Sequence, residues 1–266
     1  MAEIITLNHH SAAVLPFHVD LEDTVHLILE EKDKGYKPPF FDSGLNFLGG
    51  NWEKGVHQDK TPRELVCREI NEEFWSKFEA TESLNALLGQ KFLDSEPEVA
   101  AKYDQASIQK IRQIGALITA DMRYAGNYII KVQPPITKTE LVYGSTIFTT
   151  GLDSEKFKTV EAILKEFDGK VTTDNLKWGS RVVSVTLKEI NQKNTKFSWH
   201  YCHIVNELMN SGYSFLKPGV IRTLNLVQVS KMNYVPPEGS PDAKIEVGPT
   251  FEELEAAGYK FVGKKT

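Results

Sequence analysis

The chain has 266 residues, 41 % of them hydrophobic and 25 % charged, which is the composition of a folded globular protein and excludes disorder as the main state. A formal net charge of −5 and a pI near 5.9 argue against a broad nucleic-acid-binding surface. Two cysteines, Cys67 and Cys202, far apart and in no metal-type spacing, exclude a disulfide framework and a zinc ribbon, so a reducing compartment is expected. In chain order, Met1 to His10 lacks the basic and apolar regions of a secretory signal, and His9-His10 reads as part of a mobile terminus. No apolar run approaches the roughly 20 residues of a bilayer span, so no membrane partner and a cytoplasmic location are expected. Asp23 to Glu31 is β-branched and apolar and predicts a strand before the Gly/Pro stretch at Gly35 to Pro39. Gly44 to Gly50 predicts another, with Leu45 and Phe47 toward one side and paired glycines ending it in a tight turn. Thr61-Pro62, with Glu64 three residues after Thr61, is a capping box and starts a helix that runs to about Trp75.

Residues 81–113 are rich in helix formers and predict a helical insertion. Strands are expected at Gly115 to Ala120, Asn127 to Val132, Val142 to Thr150, Arg181 to Leu187 and Ile221 to Val229. Helices are expected at Ser154 to Phe167, at Phe197 to Met209, and at Phe251 to Gly258 after the Pro236 to Pro241 linker. The division is a domain over 1–235 and a linker with a short extension over 236–266.

The chemistry concentrates in Gly49-Gly50-Asn-Trp-Glu-Lys-Gly55 and in Thr61 to Phe74. On a helix, Glu69, Glu72 and Glu73 are three and four residues apart, so their carboxylates leave one side, while Val66, Ile70 and Phe74 form an apolar stripe beside them. Like charges held this close call for a cation, and a hard divalent ion taking oxygen ligands suits them. A Glu-rich helix face is also a common solvated surface. The combination of paired glycines, a turn, a Pro-started helix and Arg68-Glu-Ile-Asn-Glu-Glu73 resembles the Nudix box, G-x5-E-x7-R-E-U-x-E-E-x-G-U with U apolar. Three departures are visible. About four residues near Val56 to Asp59 are extra, Lys60 stands where the family has glutamate, and Trp75 and Ser76 replace the closing glycine and apolar residue.

The resemblance implies an α/β/α sandwich with a mixed sheet, a helical insertion and a C-terminal extension. It implies hydrolysis of a nucleoside diphosphate linked to another moiety, with Mg²⁺ or Mn²⁺ held by Glu69, Glu72 and Glu73. Glu69 would serve as ligand or base, and Arg68 would orient a glutamate. The backbone of Gly49 or Gly50 would add an oxygen ligand at the substrate. A further late acid would come from among Glu161, Glu166, Asp168 and Asp174. The alternative is a Nudix-like module that binds a nucleotide or RNA without cleaving it; the negative net charge disfavours RNA.

His57, in the extra loop, is a candidate for contacting substrate, with a surface histidine as the plainer reading. Trp199-His-Tyr-Cys-His203 reads as a packed helix more readily than as a metal site. Phe40, Phe41, Phe47, Trp52, Tyr124 and Tyr128 are core aromatics of which one could stack on a base. Residues 81–113 and the tail can form a lid, a homodimer contact or a partner surface.

Overall fold

The computed structural model describes residues 4–36, 42–52, 54–56, 58–75, 102–132, 140–192, 196–198, 201–210, 227–232 and 247–262. Phe40, Phe41, His57, Trp199, His200, the insertion from 81 to 101 and the Pro236 to Pro241 linker lie outside them. The chain is a mixed α/β protein. In order, it forms β1 (Ile5–Leu7), β2 (His9–Val19), β3 (Val25–Lys32), β4 (Gly44–Asn46), β5 (Leu48–Trp52), α1 (Pro62–Glu73), α2 (Gln105–Ala120), β6 (Arg123–Val132) and β7 (Leu141–Gly151). There follow α3 (Ser154–Glu166), α4 (Thr173–Trp178), β8 (Ser180–Thr186), α5 (Leu187–Gln192), β9 (Lys196–Phe197), α6 (Tyr201–Asn210), β10 (Val227–Lys231), α7 (Phe251–Ala256) and β11 (Tyr259–Phe261).

Strands β10-β6-β7-β2-β3-β4-β9 lie side by side, with β5 paired to β2 and β8 to β3. The sheet is mixed: β2 runs parallel to β7 and antiparallel to β3 and β5. β2 is central and its pattern explains its position. On one edge it pairs along its length with β7; on the other, His10 to Val14 pair with β5 and Phe17 to Val19 with β3. Pro16, which has no N–H to give, falls in the gap between these two partners. His9-His10 is therefore not a mobile terminus: both residues belong to β2, and His10 is fully buried.

Successive residues of β2 feed opposite faces. Ala12 and Val14, with Ile28, Leu48 and Phe148, pack against the apolar stripes of α1, α2 and α3. Ala13 and Leu15, with Leu27, Leu29 and Ile147, pack against Tyr201, Ile204, Val205 and Leu208 of α6. Helices thus cover both faces of the sheet. Residues Gly115 to Ala120, expected as a strand, instead complete α2: Ile118 extends the stripe of Ile108, Ile111 and Ile114, and that 3-3-4 spacing prevails over the local apolar run. Gly115 lets α2 approach α1, since a Cβ there would stand 3.1 Å from Phe74 Cβ. The expected Gly44 to Gly50 strand is split. Phe47 separates β4 from β5, and the paired glycines lie inside β5, which ends only at Trp52. The strand expected over Arg181 to Leu187 stops at Thr186, and the helix expected from Phe197 begins at Tyr201 because Phe197 pairs with Leu45 of β4.

β11 pairs in parallel with β1, and Phe251 of α7 stacks on Trp52 at 4.0 Å. The C-terminal segment is thereby part of the core, with Phe251, Leu254, Tyr259 and Phe261 buried. No described helix is long and apolar enough to cross a membrane. Both cysteines are free.

Candidate functional site

Helix α1 starts as its sequence requires. Thr61 Oγ1 accepts the Glu64 N–H at 3.0 Å, Glu64 Oε2 accepts the Thr61 N–H at 3.1 Å, and Pro62 occupies the first turn. Leu65, Val66, Ile70 and Phe74 are buried, so the register of the helix is fixed and its carboxylate side is turned to the end of the sheet. The helix ends at Glu73 with Phe74 as its cap, and the next residue, Trp75, has a φ of +64°, the left-handed conformation that usually calls for glycine. Trp75 is anchored there: its indole N–H donates to the Val171 carbonyl at 3.2 Å, and its own carbonyl accepts Arg112 Nε at 2.8 Å. Trp75 thus holds, by these two hydrogen bonds, a backbone turn that glycine usually makes.

Arg68 organises the first half of the site. Its Nε donates to Asp59 Oδ2 at 2.9 Å, and its Nη1 reaches Glu69 Oε1 at 2.8 Å and Glu72 Oε2 at 3.2 Å. Asp59 comes from the loop of extra residues, one position before Lys60. Glu69 lies against Gly50: a Cβ on Gly50 would fall 2.1 Å from Glu69 Cδ. Gly49 is also constrained, because a Cβ there would stand 2.2 Å from the Ala12 carbonyl oxygen. Gly49 is therefore required by its close approach to the β2 backbone, whereas a side chain at Gly50 would displace the Glu69 carboxylate.

Glu73 belongs to a second group. Burial, then the negative charges of Glu30, Asp174 and Glu69, raise its pKa well above the usual carboxylate range, with Lys32 working in the opposite sense. Glu30 is held in place by Lys32 Nζ at 2.5 Å and by the Ser180 hydroxyl at 2.8 Å, and Ser180 in turn accepts from Asn175 Nδ2 at 2.9 Å. Of the four late acids named from sequence, Asp174 on α4 is the one that acts on Glu73. Glu161 accepts from Ser184, Glu166 pairs with Lys110, and Asp168 sits in a left-handed turn. Tyr201 of α6 feels the same charges: burial, then Glu30 and Glu73, push its hydroxyl pKa up.

The three glutamates read from the sequence are thus divided, Glu69 and Glu72 on Arg68 and Glu73 among Glu30 and Asp174. Among the described residues no three His, Cys, Asp or Glu side chains stand as a ready metal-ligand set. Glu30, Lys32 and Asp59 are the site residues that sequence reasoning misses. The first two sit at the end of a strand with no local signal, whereas Asp59 offers one, an acid next to the Lys60 that displaces the motif's glutamate. His57 lies outside the described residues. Phe47, Trp52 and Tyr128 are buried in the cores, and Tyr124 packs on them partly buried. A cavity of about 640 Å³ lies by Arg63, Met122 and Arg123 at the opposite end of α1, and none of the site carboxylates lines it. No protein-family model matches the chain, and no curated protein matches it at a significant level.

Proposed function

We propose that the chain is a metal-dependent hydrolase with a Nudix-like α/β/α sandwich, cleaving a pyrophosphate bond in a nucleoside diphosphate linked to another moiety. The observation that carries this reading is the carboxylate surplus at the end of α1, where Glu73 is loaded by Glu30, Asp174 and Glu69 with Lys32 as an opposing charge. Such a cluster favours either protons or a cation. The donors are all carboxylate oxygens, which fit Mg²⁺ or Mn²⁺ and not a thiolate- or imidazole-seeking ion. Glu69, Glu72 and Glu73 would hold the ion, with Glu30 and Asp174 beside them. The ion would supply charge neutralisation for the diphosphate and a water of lowered pKa.

The remaining work falls to the chain itself. Arg68, anchored by Asp59, holds Glu69 and Glu72 through charge-assisted hydrogen bonds and fixes their direction. Gly50 leaves room for Glu69 directly over β5, so a phosphate approaching that backbone meets the carboxylate side of α1. A second reading, a module that binds a nucleotide without cleaving it, is favoured by one observation: Arg68 already neutralises Glu69 and Glu72. The two readings part on a single experiment. Purified protein with Mg²⁺ or Mn²⁺ is incubated with nucleoside diphosphate sugars, dinucleotides, nucleoside triphosphates and capped RNA. Cleavage of at least one, abolished by chelator, is expected. Binding without cleavage at high protein concentration, unchanged by chelator, overturns the hydrolase in favour of the binding module.

A further inference from the structure

A second group of polar side chains lies at the other end of β3. His18 on β2 and His26 on β3 are directly opposed across the antiparallel ladder, with ring centroids 6.1 Å apart. Both rings lean on Phe157 of α3, His18 stacked at 4.6 Å and His26 tilted at 5.0 Å. The hydrogen bonds fix the tautomer of each. His18 Nδ1 is 2.8 Å from the Leu152 carbonyl, an acceptor only, so Nδ1 carries the proton and Nε2 keeps a lone pair. His26 Nε2 is 3.2 Å from Asp20 Oδ2, which leaves the lone pair of neutral His26 on Nδ1.

Asp20 is itself locked in the hairpin turn, its other oxygen accepting the N–H groups of Glu22 at 2.9 Å and Thr24 at 2.8 Å. An imidazole whose second nitrogen donates to a carbonyl or a carboxylate is the arrangement in which metal-binding histidines are oriented. Metal–nitrogen bonds of roughly 2.0–2.1 Å, plus about 1.1 Å from each nitrogen to its ring centre, put two rings on one ion with their centres roughly 5.2 Å apart at a tetrahedral N–metal–N angle and up to about 6.4 Å apart at a linear one. The observed spacing falls within that reach. His18 is nearly buried and the His26 side chain is 22 % exposed, so one side is walled and the other open.

We propose that His18 and His26 form a two-imidazole site for a borderline transition-metal ion such as Zn²⁺ or Cu²⁺, with Leu152 and Asp20 as outer-shell acceptors and water completing the coordination. Two side-chain ligands are compatible with the lack of a three-residue ligand set among the described residues. His26 and Glu30 are four residues apart on β3, roughly 13 Å along the strand, which separates this site from the α1 carboxylates. The two sites also differ in chemistry: imidazole selects Zn²⁺ and Cu²⁺, carboxylate selects Mg²⁺ and Mn²⁺.

The test uses the full chain stripped of metal and titrated with Zn²⁺ or Cu²⁺ alone. One equivalent of Cu²⁺ is expected to show nitrogen hyperfine coupling from two imidazoles, and excess Zn²⁺ to raise the melting temperature by about 5 °C. His26→Gln, at a part-exposed position, is expected to weaken binding at least tenfold and to lose one nitrogen from the spectrum, while Glu166→Gln, in an exposed pair with Lys110, leaves both signals unchanged. His18→Gln removes a ring stacked on Phe157, so its folding is checked by circular dichroism and the deciding variant is His26→Gln. An unchanged spectrum and affinity in His26→Gln, or displacement of Zn²⁺ by millimolar Mg²⁺, overturns the proposal.

Discussion

Two polar regions flank the paired strands β2 and β5, and burial drives them in opposite directions. At the end of α1, Glu73 is desolvated among carboxylates and its pKa rises. At the seam under the C-terminal segment, His10 is desolvated beside Phe251 and Phe261, and burial, then the charge of His9, lower its pKa to about 3. Each region relies on a glycine for close approach: Gly50 makes room for Glu69, and a Cβ on Gly144 would stand 2.2 Å from His10 Nδ1. The difference is in charge, not in complete pairing, since His10 Nδ1 and Asn127 Nδ2 are buried without a hydrogen-bond partner among the described residues. Thr146 Oγ1 donates to Asn127 at 2.6 Å, so His10 Nε2 donates to Thr146 at 2.7 Å, and a neutral chain of hydrogen bonds runs through the three side chains. The carboxylate region has an excess of one sign of charge. A buried polar group in a neutral chain of partners is a structural element, and one with unmatched charge calls for a ligand.

The largest effect expected from this contrast is on stability in acid. His10 is neutral in the fold and takes up a proton in the unfolded chain below a pKa of about 6.5, so the unfolded state binds more protons between pH 6.5 and about 3. Stability from this source is therefore present above pH 6.5 and is lost as pH falls, by up to about 1.4 kcal/mol per unit and ~5 kcal/mol in all. That is comparable with the whole stability of an ordinary domain. Denaturant titrations from pH 7 to 4 read it directly, and His10→Gln, which cannot take up the proton, is expected to flatten the slope. An equal slope in both proteins assigns the acid sensitivity elsewhere.

The opposite sign holds at Glu73. Its folded pKa is raised, so above the unfolded value the unfolded chain ionises first and stability falls as pH rises toward the folded pKa. Glu73→Gln removes that liability, and in chelator at neutral pH its melting temperature is expected to equal or exceed that of the unsubstituted protein. On the proposed hydrolase reading its turnover falls about a hundredfold or more, the scale of losing one electrostatic contact in a transition state. Glu166→Gln, at an exposed pair with Lys110, serves as the control and is expected to change neither. Small and equal losses in both variants would reduce the α1 carboxylates to a solvated face.

How far the sequence reveals these regions follows from the range of the interactions. The capping box, the Val66, Ile70 and Phe74 stripe and the carboxylates of α1 are local, so spacing alone exposes them. The partners of Glu73 come from β3 and α4, and nothing local at Glu30 or Asp174 marks them. β2 is illegible for another reason: a strand buried on both faces has no alternation, and its Pro16 and its small residues argue against a strand until the gap between β5 and β3 is seen. Gly115 to Ala120 shows the converse, an apolar run too short to distinguish helix from strand.

The smallest effect concerns how the seam is closed. Lys54 and Glu255 meet at 2.5 Å across the surface between the β5–α1 loop and α7, and their side chains are 45 % and 35 % exposed. Solvent screening and the entropy of two long side chains limit such a pair to less than about 1 kcal/mol. The same segment is fixed by the Trp52–Phe251 stack and by the Phe251 N–H donating to the Lys60 carbonyl at 3.0 Å, both independent of salt. A double-mutant cycle with Lys54→Ala and Glu255→Ala is therefore expected to give a coupling of about 0.5 kcal/mol or less, vanishing in 1 M salt. A coupling above ~1.5 kcal/mol that survives high salt would mean that the C-terminal segment is held by charge, and the contrast between a neutral seam and a charged site would fail where the two regions meet.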